Sequence, residues 1–401
     1  MRSAVHRALR AIEHGTLVVV DSDGEATFGS GQPAARVAVR DPAFYSSLAL
    51  GGSVGAGESY MDGHWESDDL VALVRIMALN RQALDGLDGT LASPAALLRA
   101  VAHGWRRNSR KGSRRNIQAH YDLGDDLFRL FLDERLMYSA AEFETAEETL
   151  EQASLAKLSR LCRKLDLRAS DHLLEIGTGW GGLAVFAARR FGCRVTTTTI
   201  SHAQYDHARA LAREQGLSGQ VEVLRSDYRE LTGRFDKLVS VEMVEAVGHQ
   251  YLDAYFRNCA RLLKPEGLMA LQAITIRDAA YRAALKRADF IKRYIFPGGF
   301  IPCSSVLTQS SGEADLVLVN LEDFGPDYAL TLREWRRRLE ANRSKAAALG
   351  FDQRFLRMWR FYFAYCEGGF LERSISDVQM LLAKAGYRGP VWRAPGQGAA
   401  P

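Results

Sequence analysis

The stretch Leu173-Leu174-Glu175-Ile176-Gly177-Thr178-Gly179-Trp180-Gly181-Gly182 decides the fold of this chain. A short apolar run ends in an acidic residue and a glycine cluster, and a helical pattern follows from Leu183 to Arg190. This order predicts a buried strand, a tight turn and a helix. Glycines let the backbone turn sharply and let a ligand approach it, while a helix start offers unpaired N–H groups. The stretch therefore predicts a nucleotide-cofactor site.

The glycine spacing fits two cofactor classes. Gly177, Gly179 and Gly182 satisfy the pattern G-x-G-x-x-G, which indicates NAD binding when an acid follows about 20 residues later. The next predicted strand instead runs into Thr196-Thr197-Thr198-Thr199-Ile200-Ser201, which contains no acid. Glu175 ahead of alternating glycines looks more like the E-x-G-x-G loop of S-adenosylmethionine (SAM) methyltransferases. The loop alone favours SAM over NAD by roughly two to one, and a purely structural glycine turn is the third interpretation.

Strand and helix patterns alternate after this loop up to residue 275. Such alternation predicts an α/β domain with a mostly parallel sheet, which binds ligands at the carboxyl ends of its strands. The glycine loop, Ser201, Asp227 and the segment from Glu242 to Glu245 all lie at such ends. Ser201 and Gln204 also predict an S-x-x-Q capping box at a helix start. Glu242 and Glu245, three residues apart, are expected to share a helical face.

The remaining segments predict further units. Residues 1–80 contain short alternating strands around Asp/Gly turns and a helical pattern at the end, which predicts a small α+β domain. A further helix is expected from Pro94 to Val101. Proline and glycine cluster at 296–302, and residues 354–370 are rich in aromatic side chains, so an apolar insertion suited to an apolar substrate is predicted.

A basic stretch separates the two halves of the chain. Six basic residues and no acid lie between Trp105 and Arg115. We give about equal probability to two interpretations, a solvated linker and a contact with anionic phosphate groups. Nucleic acid is not expected as a partner, because no nucleic-acid-binding motif accompanies the charges. We predict an N-terminal lipid-binding or accessory domain at 1–103, a basic linker at 104–116 and a catalytic domain at 117–401.

Composition excludes several classes of protein. The 401 residues are 47% hydrophobic and 25% charged, which is ordinary for a globular protein, and the net charge is only +4. The five cysteines form no C-x-x-C pair and the nine histidines form no H-E-x-x-H motif, so neither a disulfide framework nor a metal site is expected. No signal-like segment and no run of 18 apolar residues occurs. We expect a cytoplasmic protein whose membrane contact is peripheral, at the inner face.

At this point the chain resembles a known family, the cyclopropane-fatty-acyl-phospholipid synthases and the related mycolic acid cyclopropane synthases and methyltransferases. Gly57 to Gly63 is similar to the N-terminal domain of the phospholipid enzymes. The other matching stretches follow in family order: His120-Tyr121-Asp122-Leu123-Gly124, Met137-Tyr138-Ser139, Leu174-Glu175-Ile176-Gly177-Thr178-Gly179-Trp180-Gly181, Thr199-Ile200-Ser201-His202-Ala203-Gln204, Tyr294-Ile295-Phe296-Pro297-Gly298-Gly299, Phe324-Gly325-Pro326-Asp327-Tyr328 and Tyr365-Cys366.

The resemblance implies a class I SAM-methyltransferase domain with a Rossmann-like sheet and a lipid-binding insertion. It implies SAM as cofactor and bicarbonate as a candidate base, bound in a pocket at Ala140, Glu245, Gln272, Ile274 and Tyr328. It also implies catalytic roles for Cys366, Glu245 and Tyr328. The SAM-binding residues that it implies are Tyr138, Ser139, Leu174, Glu175, Ile176, Gly177, Thr178, Gly179, Trp180, Gly181, Thr199, Ser201, Gln204, Asp227 and Tyr228.

The implied reaction is transfer of a methylene group to the cis double bond of an acyl chain in a membrane phospholipid, through a carbocation. The usual pocket cysteine is Ala140 here, and the usual histidine is Gln272, which can still donate a hydrogen bond to an anion but cannot titrate. A methyl-branched or methylene lipid is therefore the alternative product. A lipid-binding module without activity is the competing hypothesis from another class. The resemblance also allows a homodimer.

Overall fold

The computed structural model describes residues 1–81, 84, 125–145 and 147–392. They divide into two compact units, which we call unit one and unit two. Unit one holds the described part of Met1–Arg107, with Ala279–Gly298 and Tyr328–Ile375. Unit two holds the described parts of Asn108–Asp278 and Ser376–Pro401, with Gly299–Asp327.

The helices and strands are numbered here in chain order within the described residues. The helices are α1 Arg2–Leu9, α2 Ala43–Met61, α3 Leu70–Leu79, α4 Asp125–Arg129, α5 Leu150–Lys164, α6 Gly182–Phe191, α7 His202–Glu214, α8 Leu252–Leu262, α9 Asp278–Lys286, α10 Ser304–Glu313, α11 Gly325–Ala341, α12 Arg343–Ala348 and α13 Gln353–Leu371. The strands are β1 Gly15–Asp21, β2 Gly24–Ser30, β3 Ala34–Val39, β4 Trp65–Ser67, β5 His172–Ile176, β6 Arg194–Thr198, β7 Val221–Leu224, β8 Phe235–Val241, β9 Leu263–Ile276, β10 Leu316–Asp323 and β11 Ile375–Lys384. Short 3-10 turns cover Tyr228–Glu230, Val244–Ala246 and His249–Tyr251, and a π-helical turn covers Ile291–Ile295.

Unit one contains the small sheet that the N-terminal pattern predicts. Its strand order is β2-β1-β3-β4, with β1 antiparallel to β2 and parallel to β3. Buried residues alternate along β1, because successive side chains of a strand point to opposite faces. Helix α13 approaches α3 so closely that a Cβ atom on Gly368 would lie 2.7 Å from a methyl group of Val74. The predicted α+β architecture of this part is confirmed.

The aromatic segment 354–370 forms much of the interior of unit one. Phe361 contacts the rings of Tyr60, Trp65 and Phe290 at centroid distances of 5.6, 6.4 and 4.7 Å. Arg357 places its guanidinium 4.0 Å from the centroid of the Tyr60 ring. Aromatic contacts of this kind stabilise a core beyond the area that they bury. These side chains therefore serve packing, a role that the prediction of an apolar insertion did not assign to them.

Unit two is an α/β unit built on a seven-stranded sheet of order β10-β11-β9-β8-β5-β6-β7. The strands from β9 through β7 in that order pair in parallel, and β10 is antiparallel to β11. Parallel strands buried on both faces explain the nearly continuous apolar runs in the sequence. The predicted fold class, a mostly parallel α/β sheet, is confirmed.

Helix α5 shows how local chemistry fixes an element that leads into this sheet. Thr149 accepts from the backbone N–H of Gln152 at 3.3 Å, and Gln152 accepts from the N–H of Thr149 at 2.9 Å. This capping box satisfies two backbone donors that a helix start leaves unpaired. Leu158 and Leu161, fully buried on the same helix, belong with Leu173 of β5 to one hydrophobic core cluster. The helix is thereby held against the strand that leads into the glycine loop.

The predicted domains are continuous segments of sequence, whereas each unit of the structure combines several separate segments. Unit one takes residues 279–298 and 328–375 from the segment that we assigned to a single catalytic domain at 117–401. The predicted linker at 104–116, the helix at 94–101 and the His120-to-Gly124 motif lie outside the described residues. The division into 1–103, 104–116 and 117–401 stays a prediction about sequence modules.

Candidate active site

The glycine loop joins β5 to α6. Gly177, Gly179 and Gly181 have positive φ angles of 100°, 52° and 91°, a region that glycine enters without steric penalty. A Cβ atom on Gly181 would lie 2.9 Å from the Cβ of Ala208, so α7 packs too closely there for a side chain. A Cβ atom on Gly179 would meet nothing within 4 Å. The predicted tight turn is confirmed, and its open face lies at Gly179.

Trp180 lies beside this open face. Its side chain is buried, and its ring contacts Phe128 at 5.8 Å and His207 at 5.3 Å between centroids. The indole N–H has no hydrogen-bond partner among the described residues. Buried polar groups normally find a partner, so this donor fits a site that a polar ligand completes. SAM, which carries amine, carboxylate, ribose and adenine groups, has acceptors of the required kind.

Glu175 is the penultimate residue of β5, and threonine hydroxyls hold its side chain. Thr197 donates to Oε2 of Glu175 at 2.6 Å, and the hydroxyls of Thr197 and Thr178 lie 2.7 Å apart. Burial raises the pKa of Glu175 to about 8, since the charged form loses its hydration. The threonine run that argued against a dinucleotide acid thus has a local purpose: it orients the acid of the preceding strand. Leu174 and Ile176, buried on either side, fix the strand in the core.

The second strand end carries Thr199, Ser201 and Gln204. Ser201 caps α7 by accepting from the backbone N–H of Gln204, at 3.4 Å. The predicted reciprocal bond of a capping box is wrong, because the side-chain oxygen of Gln204 accepts from the Thr199 hydroxyl at 2.8 Å instead. Both Gln204 and Ser201 are buried. The three side chains therefore form one fixed polar rim at this strand end.

Asp227 and Tyr228 follow the third strand, β7. Arg229 donates to both carboxylate oxygens of Asp227, at 2.8 and 2.6 Å, and this bidentate pair raises the pKa of the arginine. The Tyr228 ring packs edge-on against Tyr255 at 5.5 Å. Burial raises the pKa of Tyr228, so its hydroxyl stays protonated. Arg229 is a residue of this site that the sequence analysis missed, and its position two residues after Asp227 was the available signal.

Ser139 is hydrogen-bonded to Lys157 of α5, a second residue of the site that the sequence analysis missed. The fully buried ammonium of Lys157 donates to the Ser139 hydroxyl at 2.8 Å. Burial lowers the pKa of Lys157, while the carboxylates of Glu242, Asp133 and others oppose that shift. Tyr138, next to Ser139, packs edge-on against Phe128 at 5.1 Å. A lysine on the buried face of an amphipathic helix was the signal that could have identified it.

Gln272 of β9 is the centre of a hydrogen-bonded cluster of carboxyl groups. Its amide nitrogen donates to Oε1 of Glu242 at 2.8 Å and to Oδ2 of Asp377 at 3.1 Å. The backbone N–H of Ala140 also donates to Oε1 of Glu242, at 2.8 Å. Gln379 donates to the side-chain oxygen of Gln272 at 3.2 Å. Gln272 and Asp377 are fully buried, and neither Asp377 nor Gln379 was predicted from the sequence.

Glu245 forms the partly buried side of this cluster. The backbone N–H of Ile274 donates to its Oε1 at 2.6 Å, while Oε2 has no hydrogen-bond partner among the described residues. Burial and the charge of Glu242 raise the pKa of Glu245 to about 8. The expected shared helical face is wrong: Glu242 has a φ of 47° just after β8, and the 3-10 turn begins at Val244. The two acids converge because the chain turns between them.

These groups belong to one site within unit two. A Cβ atom on Gly177 would lie 3.2 Å from the Met243 side chain, and Ser240 donates to the carbonyl of Ile176 at 3.1 Å. The charge of Lys157 interacts with Glu242 and Asp377 of the cluster and with Glu175 of the loop strand. The glycine loop and the carboxyl cluster therefore lie side by side at the carboxyl ends of β5, β8 and β9.

Tyr328 and Cys366 belong to unit one. Tyr328 is buried, stacked on Phe370 at 4.5 Å and edge-on to Trp335 at 6.1 Å. Cys366 lies on α13 and is partly exposed. Burial of the sulfur raises the pKa of the Cys366 thiol, with a smaller contribution from Asp289. The thiol is therefore protonated at neutral pH and has no thiolate character. The catalytic roles of both residues stay predictions.

The described residues lack a cluster of metal ligands and a helix that could cross a bilayer. Among residues 1–81, 84, 125–145 and 147–392, no group of three or more His, Cys, Asp or Glu side chains could hold a metal ion. Within the same part of the chain, no helix is both long enough and apolar enough to cross a bilayer.

Comparison with known proteins identifies the class and then the family. Solved structures that share this fold include SAM-dependent methyltransferases, and the chain is a SAM-dependent enzyme of that class I fold. The prediction of SAM is confirmed and the NAD interpretation is wrong. The chain belongs to the mycolic acid cyclopropane synthetase family, whose sequence profile matches residues 108–380.

Three relatives illustrate the match. Tuberculostearic acid methyltransferase UfaA1 of Mycobacterium tuberculosis is 36% identical over 390 residues, which cover 94% of this chain and 90% of the relative. Cyclopropane-fatty-acyl-phospholipid synthase of Escherichia coli K12 is 36% identical over 358 residues, covering 88% and 89%. The crystal structure of mycolic acid cyclopropane synthase CmaA1 with SAH and CTAB is 32% identical, covers 68% of this chain and 98% of its own, and has a TM-score of 0.63.

Proposed function

We propose that this enzyme transfers a methylene group from SAM to the cis double bond of an unsaturated acyl chain in a membrane phospholipid, forming a cyclopropane ring. The observation that carries the proposal is the cluster of Glu242, Glu245, Gln272 and Asp377 beside the glycine loop. A methyl donor alone needs no group of buried carboxyls. A reaction that creates a carbocation and then removes a proton needs both charge stabilisation and a base.

The residues of the loop and the strand ends have separate tasks in this proposal. The positive-φ glycines keep the loop face free, Glu175 and Asp227 accept hydrogen bonds from hydroxyl or amine groups, and Ser139 is oriented by Lys157. When bound, SAM supplies an electrophilic methyl group and leaves as neutral S-adenosylhomocysteine. The cluster of acids stabilises positive charge on the acyl chain, and its burial excludes the water that would otherwise trap the cation.

The phospholipid is favoured as substrate by the extent of the sequence matches. The Escherichia coli relative, which is named for a fatty-acyl-phospholipid product, aligns with 88% of this chain. A Mycobacterium tuberculosis relative named cyclopropane mycolic acid synthase 1 aligns with 61% of it. The N-terminal residues thus have a counterpart in the phospholipid enzyme, which supports the proposed accessory role of residues 1–103 in lipid binding.

A second product is supported by a specific observation. The relative UfaA1 aligns with 94% of this chain and is named a methyltransferase, so a methyl-branched or methylene fatty acyl chain is the alternative. The same cation gives either product, and the position of the base decides which proton is lost. Ala140 and Gln272, which replace the usual cysteine and histidine, are the changes that would move that base. We favour the ring.

The membrane is the proposed partner. The basic residues at 106–115 would dock the enzyme on anionic lipid at the cytoplasmic face, each contributing about 1 kcal/mol near the surface. Vesicle co-sedimentation should weaken as salt rises, since screening shortens the reach of exposed charges. Equal binding to neutral and anionic vesicles, unchanged in an Arg106→Ala, Arg107→Ala variant, would contradict this docking. A homodimer remains a proposal that size-exclusion chromatography with light scattering tests.

Expression in a host that lacks its own synthase tests the product. Mass spectrometry of the fatty acids should reveal a species heavier by one CH₂ that contains no olefin and is not reduced to a straight chain on hydrogenation. A methylene or methyl-branched species would overturn the ring and establish the alternative. Glu245→Gln should abolish either product, whereas Asp206→Asn, which changes an exposed acid on α7, is the matched control.

If the folded protein produces no new lipid, a second measurement is needed to interpret that result. Calorimetry with SAM and S-adenosylhomocysteine distinguishes an idle lipid-binding module from an enzyme that was given the wrong lipid. Binding of either ligand keeps the enzyme proposal with another substrate. Absence of binding by both, in protein that melts cooperatively, would replace it with the binding-module hypothesis.

A further inference from the structure

The donors of the expected anion pocket are already engaged by the protein. The family resemblance assigns bicarbonate to a pocket that includes Ala140, Gln272 and Ile274. In this chain the N–H of Ala140 donates to Glu242 at 2.8 Å, and the N–H of Ile274 donates to Glu245 at 2.6 Å. A bicarbonate ion needs such donors, because it is an anion that must replace lost hydration. The residues of unit two therefore do not fit this ion.

Gln272 is the decisive member of the pocket. A carboxamide nitrogen carries two hydrogens, and both are directed to carboxyl groups, one on Glu242 at 2.8 Å and one on Asp377 at 3.1 Å. Its oxygen accepts from Gln379 at 3.2 Å, which fixes the orientation of the amide. These two bonds leave no N–H of the Gln272 amide for a small anion. Asp377, on the last strand, is the residue that takes the second hydrogen.

The carboxyl groups around the pocket also disfavour the binding of an anion. Glu242 and Asp377 accept from the same amide of Gln272, and the charge of Glu245 acts on Asp377. Lys157 is a fully buried cation whose charge reaches Glu242 and Asp377. Glu242 and Asp377 already take the hydrogen-bond donors that a further anion would need. Burial and the charge of Glu242 raise the pKa of Asp377 well above its usual range.

We propose that this enzyme works without bicarbonate, and that Glu245 itself accepts the proton released in the reaction. Asp377 is a positioning residue: its hydrogen bond to the Gln272 amide keeps that amide from donating to a bound anion. The inference rests on the proposed methylene transfer. After the methyl carbon has bonded to one alkene carbon, the neighbouring carbon is cationic. A C–H bond of the added carbon breaks and its electron pair forms the second ring bond. The proton passes to Oε2 of Glu245, the oxygen without a partner among the described residues. Glu245 accepts it in its ionised form, which the neighbouring carbocation favours.

The first arm of the test varies bicarbonate. Purified full-length enzyme, SAM and vesicles of an unsaturated phospholipid are assayed in CO₂-free buffer and in the same buffer with sodium bicarbonate, with S-adenosylhomocysteine and fatty acids measured. Equal rates are expected. A rate that falls on removal of bicarbonate and recovers on its return would overturn the inference. No product in either buffer, with SAM bound in calorimetry, would count against the proposed function and its substrate.

The second arm uses Asp377. Asp377→Ala frees one N–H of Gln272 and leaves a small polar cavity, so we expect the rate to fall roughly tenfold, the scale of one lost buried hydrogen bond. Sodium formate or bicarbonate should restore part of that rate, since either anion can accept from the freed N–H. Asp377→Asn keeps an acceptor for Gln272 and should show no anion response. Anion rescue of neither variant, or of both equally, would refute the positioning role.

Discussion

Alanine at two glycines of the loop should separate folding from cofactor binding. At Gly179 the φ of 52° lies within the left-handed region that L-residues can enter at a cost of about 1 kcal/mol, and a Cβ atom meets nothing within 4 Å. Gly179→Ala should therefore lower the free energy of unfolding by only about 1 kcal/mol. SAM affinity should fall at least about tenfold, since the methyl group projects from the open loop face.

Gly181→Ala should behave in the opposite way. Its φ of 91° is less accessible to alanine, and the new Cβ atom would lie 2.9 Å from the Cβ of Ala208. Overpacking of this kind adds about 1–3 kcal/mol to the backbone cost, so this variant should be the less stable of the two. Gly216→Ala is the matched control, because its φ is 70°, its surroundings are equally open, and it lies just past the end of α7 far from Ser201.

Urea unfolding and calorimetry with SAM check both variants and the control. Gly179→Ala and Gly216→Ala should lose similar stability, while only Gly179→Ala loses SAM affinity. If Gly179→Ala binds SAM as tightly as the unmodified enzyme, the open space at this residue is not part of the cofactor site. If Gly181→Ala is as stable as the control, the close approach of α7 has been overstated.

Three further outcomes are expected. Lys157→Met keeps the side-chain volume but removes the hydrogen bond to Ser139 and the positive charge that compensates the nearby carboxylates. Calorimetry should show weaker SAM binding, and urea unfolding should show a free energy of unfolding lower by about 3–5 kcal/mol. Unchanged values for both would contradict a buried charge at Lys157. Because the pKa of Glu245 is raised from 4.5 to about 8, its contribution to stability is complete below pH 4.5 and is lost as the pH rises to 8. The melting temperature of Glu245→Gln should therefore rise relative to that of the unmodified enzyme across that interval. Parallel curves of melting temperature against pH would show that the raised pKa is wrong. Thr149→Ala removes the capping box with Gln152 and should cost about 1 kcal/mol in urea unfolding, without changing SAM affinity.

Local chemistry made the loop and its helix predictable. Glu175, the alternating glycines and the helix after them are contiguous, so the turn they form depends on near neighbours. Ser201 was identified as a cap for the same reason. The failure at Gln204 is instructive: Thr199, only five residues away, offered a competing donor that the S-x-x-Q pattern does not consider.

The carboxyl cluster was only half predictable because its bonds connect distant parts of the chain. Gln272 and Asp377 are 105 residues apart in sequence, and Ala140 and Glu242 are 102 apart. No periodicity or motif encodes such a pair, since strand order in the sheet brings them together. Lys157 was overlooked because a lysine on a helix is usually exposed, and its burial is compensated by acids from other elements.

The position of β11 has a consequence for how the enzyme is made. This strand, Ile375–Lys384, follows β9 and β10 in sequence but lies between them in the sheet, and it brings Asp377 to Gln272. A ribosome releases this strand after both of its neighbours, so during synthesis β9 and β10 present unpaired edges that can recruit other chains. A protein truncated before residue 377 would lack the carboxyl group that accepts from Gln272, so the carboxyl cluster is complete only after β11 has been translated.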